Sequence, residues 1–393
     1  MRTPNPEPGT RNPIYLDSHA TTPVDPRVLE AMLPFFTEHF GNASSRNHAY
    51  GWNAGKAVEL AREQIGMLIG GRFRDVVFTS GATESNNLAL KGIAARAPAH
   101  RRHIVTIATE HRAVLDPCRG LTHDGFAVTY LDVEGDGRID LDRLRDAVRP
   151  DTLLVSAMSA NNEIGVLHPL AEISEIAHAQ GALFHCDAVQ SAGLIPLETK
   201  ELGIDLVSIS AHKIYGPKGI GALYIAKRHP AIGLEPLIDG GGHERGYRSG
   251  TLNVPAIVGF GKAAELCRIE GDAEAARLRA LRDRLWSALS NVDGVYLNGP
   301  LEPRLPNNLN VRVDHVHGES LLKSIATDVA LSSGAACATA SADPSHVLRA
   351  MGLSDEQARA SIRFGLGRFT TEQEIDSVAD IVIAATRGLR RLR

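Results

Sequence analysis

The sequence predicts an α/β protein with two domains: a large domain built on a mainly parallel sheet and a smaller α+β domain. The chain has 393 residues, more than the roughly 250–300 at which a single hydrophobic core stops growing. Short apolar runs alternate with amphipathic stretches between residues 74 and 226, and this alternation ends after Asn253. We therefore expect an N-terminal arm at 1–25 that packs with the small domain, a large domain at 26–258 and a small domain at 259–393.

The strands of the large domain are predicted from seven apolar runs. Such runs, when they are continuous rather than interrupted by polar residues, are typical of parallel strands that helices cover on both faces. They span residues 75–79, 103–108, 127–131, 152–158, 182–187, 205–210 and 221–226. Amphipathic helical patterns separate the earlier strands, at residues 84–95, 113–124, 141–148 and 170–180.

The small domain is predicted from a different pattern. A long helical segment runs from Ala256 to about Ser290, and a strand-like run follows at 308–313. A further helix begins at Glu319, and a closing helix begins at Thr371. Helices and a strand in this mixed order indicate an α+β unit.

The composition excludes several classes of protein. Lys and Arg number 42 against 46 Asp and Glu, a net charge of -4, so the chain has no excess of cations with which to bind a nucleic acid backbone. No apolar run reaches the length of a membrane span. The four cysteines are far apart and form no C-x-x-C pair, which favours free thiols over disulfides or a zinc site. We expect a cytoplasmic protein with no metal site.

Polar residues follow two of the predicted strands, where ligands bind in parallel sheets. Asp187 ends one buried run, and Lys213 follows another, ahead of the Gly-rich turn 216–221. Residues 79–85 form a Gly-containing turn into a helix whose free N–H groups suit a phosphate. Each feature alone also has a structural explanation: a helix cap, a paired carboxylate or a solvent-facing lysine.

Together, a lysine that forms a Schiff base, a carboxylate at a strand end and a helix start that holds phosphate are what pyridoxal phosphate requires. Lysine carries the aldehyde, the carboxylate keeps the ring nitrogen protonated, and the helix start binds the phosphate. The sequence therefore predicts this cofactor.

A segment of small residues in the second domain, 332–338, contains Cys337. Small residues offer little apolar surface for packing, so a loop that presents a thiol is one interpretation. A buried cysteine among alanines is the other. Cys118, Cys186 and Cys267 lie in apolar helix or strand patterns, and we expect them in the core.

These motifs resemble those of the cysteine desulfurases, pyridoxal-phosphate enzymes of aminotransferase fold type I, class V. The likeness runs from about Ile14 to Arg391, and the short cysteine segment is similar to the iron-sulfur-cluster and nitrogen-fixation branch. The matching segments are 15–17, 20–23, 79–86, 109–111, 161–165, 187–190, 210–221, 240–251, 332–337 and 361–364.

The resemblance implies roles for four residues around the cofactor ring. Lys213 would carry the cofactor as an internal Schiff base and move the proton at the substrate α-carbon. His111 would stack on the ring and take part in catalysis. Asp187 would pair with the ring nitrogen, and Gln190 would donate to the phenolate oxygen.

The resemblance also implies a set of phosphate ligands. Within one subunit these are Ala82, Thr83, Ser210 and His212. Thr251 would reach the phosphate from the second subunit of a homodimer.

Substrate handling is implied for three further residues. Asn162 would contact the cofactor and, with Arg363, bind the carboxylate of L-cysteine, to which a guanidinium is suited. The Cys337 thiolate would attack the substrate sulfur, leaving L-alanine and an enzyme persulfide. The sulfur would pass to an acceptor protein such as an iron-sulfur cluster scaffold.

Two other functions remain open at this point. A selenocysteine lyase or another class V enzyme would share the cofactor site without depending on Cys337. A non-catalytic sulfur-delivery or scaffold subunit would keep the fold alone. Ser18 and His19 depart from the Asn-Ala that is common in the family, and we expect His19 to lie close to the active site.

Overall fold

The structure is a computed structural model that describes residues 12–228, 231–333 and 343–392. It confirms the predicted α/β fold class: all seven strands of the first domain are present, and the helices predicted between them begin and end within two residues of expectation. The strands are β1 (Ile14–Tyr15), β2 (Val76–Thr79), β3 (His103–Ile107), β4 (Ala127–Leu131), β5 (Thr152–Ser156), β6 (Leu183–Asp187), β7 (Leu206–Ser210), β8 (Gly221–Ile225), β9 (Val295–Leu297), β10 (Asn308–Val313), β11 (Val329–Ala330) and β12 (Ser361–Gly365).

Helices surround these strands, and several begin at residues with recognisable caps. Asp25, Asp140, Ser354 and Thr371 each accept a backbone N–H at a helix start, which satisfies one of the unpaired donors there. The helices are α1 (Pro26–Met32), α2 (Pro34–Thr37), α3 (Ala49–Leu68), α4 (Ala82–Ala95), α5 (Arg112–His123), α6 (Leu141–Ala147), α7 (Leu170–Ala179), α8 (Val254–Leu289), α9 (Gly318–Ile325), α10 (His346–Ala350), α11 (Asp355–Arg359) and α12 (Glu372–Arg391).

The large sheet has the strand order β2-β8-β7-β6-β5-β3-β4. Its strands are parallel except β8, which is antiparallel to both of its neighbours. Alternate side chains of β2 pack into two hydrophobic cores, one on each face of the sheet. Val76 and Phe78 belong to one core, and Val77 belongs to the other. Because both faces are covered, the strands read as continuous apolar runs.

A second, three-stranded sheet with the order β12-β10-β9 forms the core of the C-terminal part together with α9 and α12. Helix α8 serves both cores: its residues from Val254 to Cys267 pack on the large one, and Leu278 to Leu289 pack on the small one. Near the N-terminus, β1 pairs with β11, and Asp17 forms a bridge with Gly365. The domain limits 1–25, 26–258 and 259–393 stay predictions.

The edge strand β2 is covered by side chains. The Glu244 carboxylate accepts the backbone N–H of Phe78 at 2.7 Å and pairs at 2.8 Å with Arg62, which itself donates to the Val76 carbonyl. Glu244 and Arg245 have positive φ angles of 47° and 59°, a conformation that persists only where the surroundings hold it. The buried ion pair therefore fixes the segment 240–251 against the sheet.

Cys118, Cys186 and Cys267 are buried, as predicted. Burial raises the pKa of Cys118 and of Cys267 to about 12, so both thiols stay protonated at neutral pH. Among the described residues, no helix combines the length and the apolar character that crossing a membrane requires.

Candidate active site

A cavity of about 540 Å³ lies at the carboxyl ends of the parallel strands. This is the edge where ligands bind in sheets of this kind. Nine of the predicted site residues line it: Ala82, Thr83, His111, Asn162, Asp187, Gln190, Ser210, His212 and Lys213. Thr251 and Arg363 are not among its lining residues, and Cys337 lies outside the described residues.

One end of the cavity is suited to a phosphate. Helix α4 begins after Gly81, and no side chain caps its first N–H groups, so they remain available to an anion. Gly81 has φ +153°, and β8 approaches so closely that a Cβ on Gly221 would lie 2.7 Å from the Gly81 Cα. Ser210, at the end of β7, and His212 line the same cavity. Burial, with Lys213 and Lys218 nearby, lowers the pKa of His212 to about 4.

Asp187 lies at another point of the cavity, at the end of β6, and is 5% exposed. Its carboxylate accepts from Asn86 Nδ2 at 2.7 Å and from the Val189 N–H at 3.1 Å. The nearby Glu110 is fully buried, and its pKa is held well above the usual range by burial and then by the negative charge of Asp187. Burial thus favours the protonated form of Glu110, and Asp187, which lines the cavity, is the carboxylate that can pair with a cation here.

Lys213 ends a short 3-10 helix that follows β7. Its Nζ donates to the carbonyl oxygens of His19 and, at 3.0 Å, of Ala20. The turn after it places Tyr215 at φ 65°, and the Tyr215 N–H donates to Thr22 Oγ1 at 2.9 Å. The segment 17–22 thus holds both the side chain of Lys213 and the backbone that follows it.

His111 is the cap of α5. Its Nδ1 accepts the Ala113 N–H at 3.1 Å, so the neutral ring carries its proton on Nε2. His111 lines the cavity with Met158 and Ala160. This arrangement leaves the imidazole a hydrogen-bond donor on the nitrogen opposite its helix contact.

Arg363, on β12, contacts Asn162, which lines the cavity. Its guanidinium donates to the Asn162 carbonyl at 2.8 Å and pairs with Asp17 at 2.9 Å. It is 3% exposed, and its Nε has no hydrogen-bond partner among the described residues. A buried guanidinium with an unused donor suits a carboxylate ligand.

Sequence reasoning gave no role to three residues that shape this site, Asn86, Glu110 and Glu163, whereas His19, which was expected close to the active site, contacts Gln190 and Lys213. Asn86 and Glu163 belong to segments that carried the family resemblance, but nothing in their spacing indicates the partners Asp187 and Ser345. Burial raises the pKa of Glu163 to about 7, although Ser345 donates to its carboxylate and Arg363 lies nearby.

The donor set fits pyridoxal phosphate. The uncapped start of α4 can hold the phosphate, and Asp187 can pair with a protonated ring nitrogen. Lys213 lines the same cavity after the carboxyl end of β7, so its amine is placed to take up an aldehyde there. Glu84, the acid at the start of α4, pairs with Arg248 at 2.9 Å. Its negative charge is therefore compensated and does not oppose a phosphate at this helix start.

Comparisons with known protein families, sequences and structures all identify related proteins. The family described as aminotransferase class-V matches residues 14–378. The chain is 59% identical to the cysteine desulfurase IscS of Anaeromyxobacter sp. strain Fw109-5, over 97% of this chain and 94% of that protein. A NifS-like protein of known structure has a TM-score of 0.89 at 38% identity, covering 96% of this chain and all of the other. The structure of SspA in complex with cysteine has a TM-score of 0.80 at 36% identity, covering 91% and 100%.

Glu163→Gln is expected to change how stability depends on pH. An ordinary Glu loses its proton near 4.5, and the folded chain keeps the Glu163 proton to about 7. Between these values the folded state binds more protons, so the wild-type protein loses stability as pH rises. Gln does not titrate. The free energy of unfolding of the variant, relative to that of the wild type, should therefore rise by about 3 kcal/mol between pH 4.5 and 8.

The measurement is urea unfolding of both proteins at several pH values. The matched control is Glu175→Gln, because Glu175 is exposed on α7 and has no ion pair among the described residues, so it reports the effect of the substitution itself. A difference between Glu163→Gln and wild type that stays constant across this range contradicts the assignment.

Proposed function

This chain belongs to the class V aminotransferase family, and on that premise we propose that it converts L-cysteine to L-alanine and retains the sulfur as a persulfide on Cys337. It is a pyridoxal-phosphate-dependent cysteine desulfurase, as its 59% identity to one such enzyme over 97% of the chain indicates. The observation that carries the mechanism is the position of Lys213, which lines one cavity with Asp187 and the uncapped start of α4.

Pyridoxal phosphate, when bound, supplies an aldehyde that takes up an amino group and a ring that accepts electrons. The chain's residues bind and orient it. Asp187 would pair with the protonated ring nitrogen, and Ala82, Thr83, Ser210 and His212 would bind the phosphate. Gln190 donates to the phenolate oxygen.

Lys213 holds the cofactor in the resting enzyme and then moves the proton at the substrate α-carbon. The carbonyl oxygens of His19 and Ala20 accept hydrogen bonds from its Nζ, so they hold the amine in place when it is released. His111 covers the ring and carries a proton on the nitrogen opposite its helix contact. These roles are proposals that the shared cavity supports.

Asn162 and Arg363 orient the substrate carboxylate. Asp17 and the Asn162 carbonyl already hold the Arg363 guanidinium. Its Nε–H, which has no partner among the described residues, therefore keeps one direction. Binding through a fixed guanidinium places the cysteine side chain relative to the ring, which lowers the entropic part of the barrier.

Cys337 accepts the sulfur. Its thiolate forms a bond to the substrate sulfur while the Cβ–S bond of the substrate breaks, and the carbon takes a proton to become the methyl group of alanine. Enzyme thiol and cysteine thus give enzyme persulfide and alanine with no external oxidant. A free thiol is only a few per cent ionised at neutral pH, so a base at the site must take its proton.

The protein is a homodimer in this proposal, and two observations support it. Large apolar side chains are exposed along α1, α2 and the start of α3, including Phe36 (58%), Phe40 (63%) and Trp52 (54%), and such patches are typical of subunit interfaces. Thr251 is exposed and outside the cavity. The Arg62–Glu244 pair fixes its segment, so Thr251 can be presented to a second subunit.

The acceptor and the location follow from the proposed chemistry. A persulfide is useful only if a thiol-bearing acceptor removes its outer sulfur, and we assign an iron-sulfur cluster scaffold protein to this role. Free, buried thiols at Cys118, Cys186 and Cys267 fit a reducing compartment such as the cytoplasm.

Lys213→Ala is expected to abolish the yellow colour of the protein and to lower turnover by about 10²–10⁴-fold, because it removes the group that moves the proton. In the wild type, borohydride reduction should leave the pyridoxyl group on the peptide that contains Lys213. Lys218 lines the same cavity and is the matched control: Lys218→Ala should keep the colour. A label on Lys218 or Lys227 would overturn the assignment.

Cys337→Ser should still change the visible spectrum when cysteine is added, because the cofactor and carboxylate sites remain. It should form no persulfide and release no sulfide. Cys118→Ala, outside the cavity, is the control. Alanine production by Cys337→Ser at the wild-type rate would instead favour a lyase that does not depend on this cysteine, and a colourless wild-type protein would favour a non-catalytic subunit.

Mixing Lys213→Ala with Thr251→Ala should restore activity if the sites are shared between subunits. A mixed dimer has one site with an intact lysine and an intact threonine, so random exchange should recover about a quarter of wild-type activity at limiting cofactor. Thr251→Ser, which keeps the hydroxyl, is the control for the threonine. Activity equal to the sum of the separate variants, or a monomer with full activity, refutes the shared site.

A further inference from the structure

His19 is a buried histidine that contacts two of the predicted cofactor ligands. It is 2% exposed and lies on the segment between β1 and α1. Its Nδ1 is 2.9 Å from Gln190 Oε1, and its carbonyl accepts from Gln190 Nε2 at 3.2 Å. The same carbonyl accepts from Lys213 Nζ. One residue therefore holds Gln190 at both ends of its amide and also contacts the lysine.

These contacts determine the orientation of the Gln190 amide. A backbone carbonyl can only accept, so the amide atom that faces the His19 carbonyl must be the nitrogen. The other amide atom, at His19 Nδ1, is then the oxygen. Since that oxygen only accepts, His19 must carry its proton on Nδ1. A flipped amide would place two acceptors together at the carbonyl and lose the hydrogen bond there.

The ring of His19 acts through this hydrogen bond rather than through charge. Burial, assisted by the positive charges of Arg363 and Lys213, lowers the pKa of His19 to about 3 against the opposing effect of the bond to Gln190. Arg363 is itself paired with Asp17. At neutral pH the imidazole is uncharged, so replacing it removes one donor and some packing but no charge.

We propose that His19 is a positioning residue whose Nδ1–H locks the Gln190 amide with an N–H directed at the cofactor's phenolate oxygen. This inference rests on the proposed cofactor site, in which Gln190 lines the cavity beside Lys213. Gln190 Nε2 has two hydrogens, and the His19 carbonyl takes one of them. The second remains for the ligand. Without the lock the amide could turn its oxygen toward an anionic oxygen, which repels it.

A packing role alone predicts a different result. His19 also fills space beside β12, where a Cβ on Gly365 would lie 2.8 Å from the His19 Cδ2. Loss of packing would lower the stability of the protein and leave the electronic state of the bound cofactor unchanged. The spectrum of the cofactor therefore distinguishes the two roles.

The test is a pH titration of the visible absorption of the bound cofactor in the absence of cysteine. His19→Ala should raise the midpoint by about one unit, because the amide N–H no longer stabilises the deprotonated, more negative chromophore. His19→Asn, which keeps a donor, should recover at least half of this shift. In a Gln190→Ala background, His19→Ala should cause no further shift.

Three outcomes overturn the proposal: an unchanged midpoint in His19→Ala, no recovery in His19→Asn, or a full shift that persists in the Gln190→Ala background. The geometry has its own test in the cofactor-free wild-type protein. ¹⁵N NMR of labelled histidines, assigned with His19→Asn, should show His19 with its proton on Nδ1, and an Nε2-protonated ring would refute the lock. A protein that binds no pyridoxal phosphate refutes the proposed function instead.

Discussion

Asp187 is a carboxylate buried at the end of a strand, and the site is organised around its compensation. Burying an unpaired charge costs several kcal/mol, and two donors, from Asn86 and the Val189 N–H, offset only part of that cost. Burial and the charge of Asp187 raise the pKa of the neighbouring acid, Glu110, which disfavours a second negative charge there. What remains is a negative group in a cavity with room for a cationic partner. In the proposed function a protonated ring nitrogen would be that partner, and its charge would keep the ring able to accept electrons.

The segment 17–22 connects this centre to the rest of the molecule. Asp17 pairs with Arg363 of β12, Thr22 bonds to the His212 carbonyl and to the Tyr215 N–H, and the carbonyls of His19 and Ala20 accept from Lys213. The N-terminal strand β1 is in turn paired with β11. Arg363, to which we assign the substrate carboxylate, and Lys213 are thereby joined through one short stretch of chain. A displacement of this segment would move both sets together.

A second buried ion pair has a comparable effect at the opposite edge of the sheet. Arg62 and Glu244 satisfy the free backbone groups of β2 and hold two residues at positive φ. An open edge strand would expose these groups to pairing with other chains. The segment that carries Glu244 continues to Thr251, the residue that we propose reaches a second subunit.

The sequence by itself determined the seven strands, the helices between them, and the places of Asp187 and Lys213. Each is a local property: a strand buried on both faces is a continuous apolar run, and a polar residue directly after such a run lies at the carboxyl edge. The helices α1 to α3 were not predicted from the sequence. In α3, Gly51, Trp52 and Gly55 weaken the helical pattern.

Only the tertiary structure decided the strand order, the reversed direction of β8, the raised pKa of Glu110 and the contacts of His19. The His19–Gln190 bond joins residues 171 positions apart, and periodicity carries no information at that distance. The protonation of a buried acid depends on which groups the fold brings to it, and those groups come from separate strands. Local patterns could therefore predict which residues reach the edge of the sheet, and packing alone determined which of them touch.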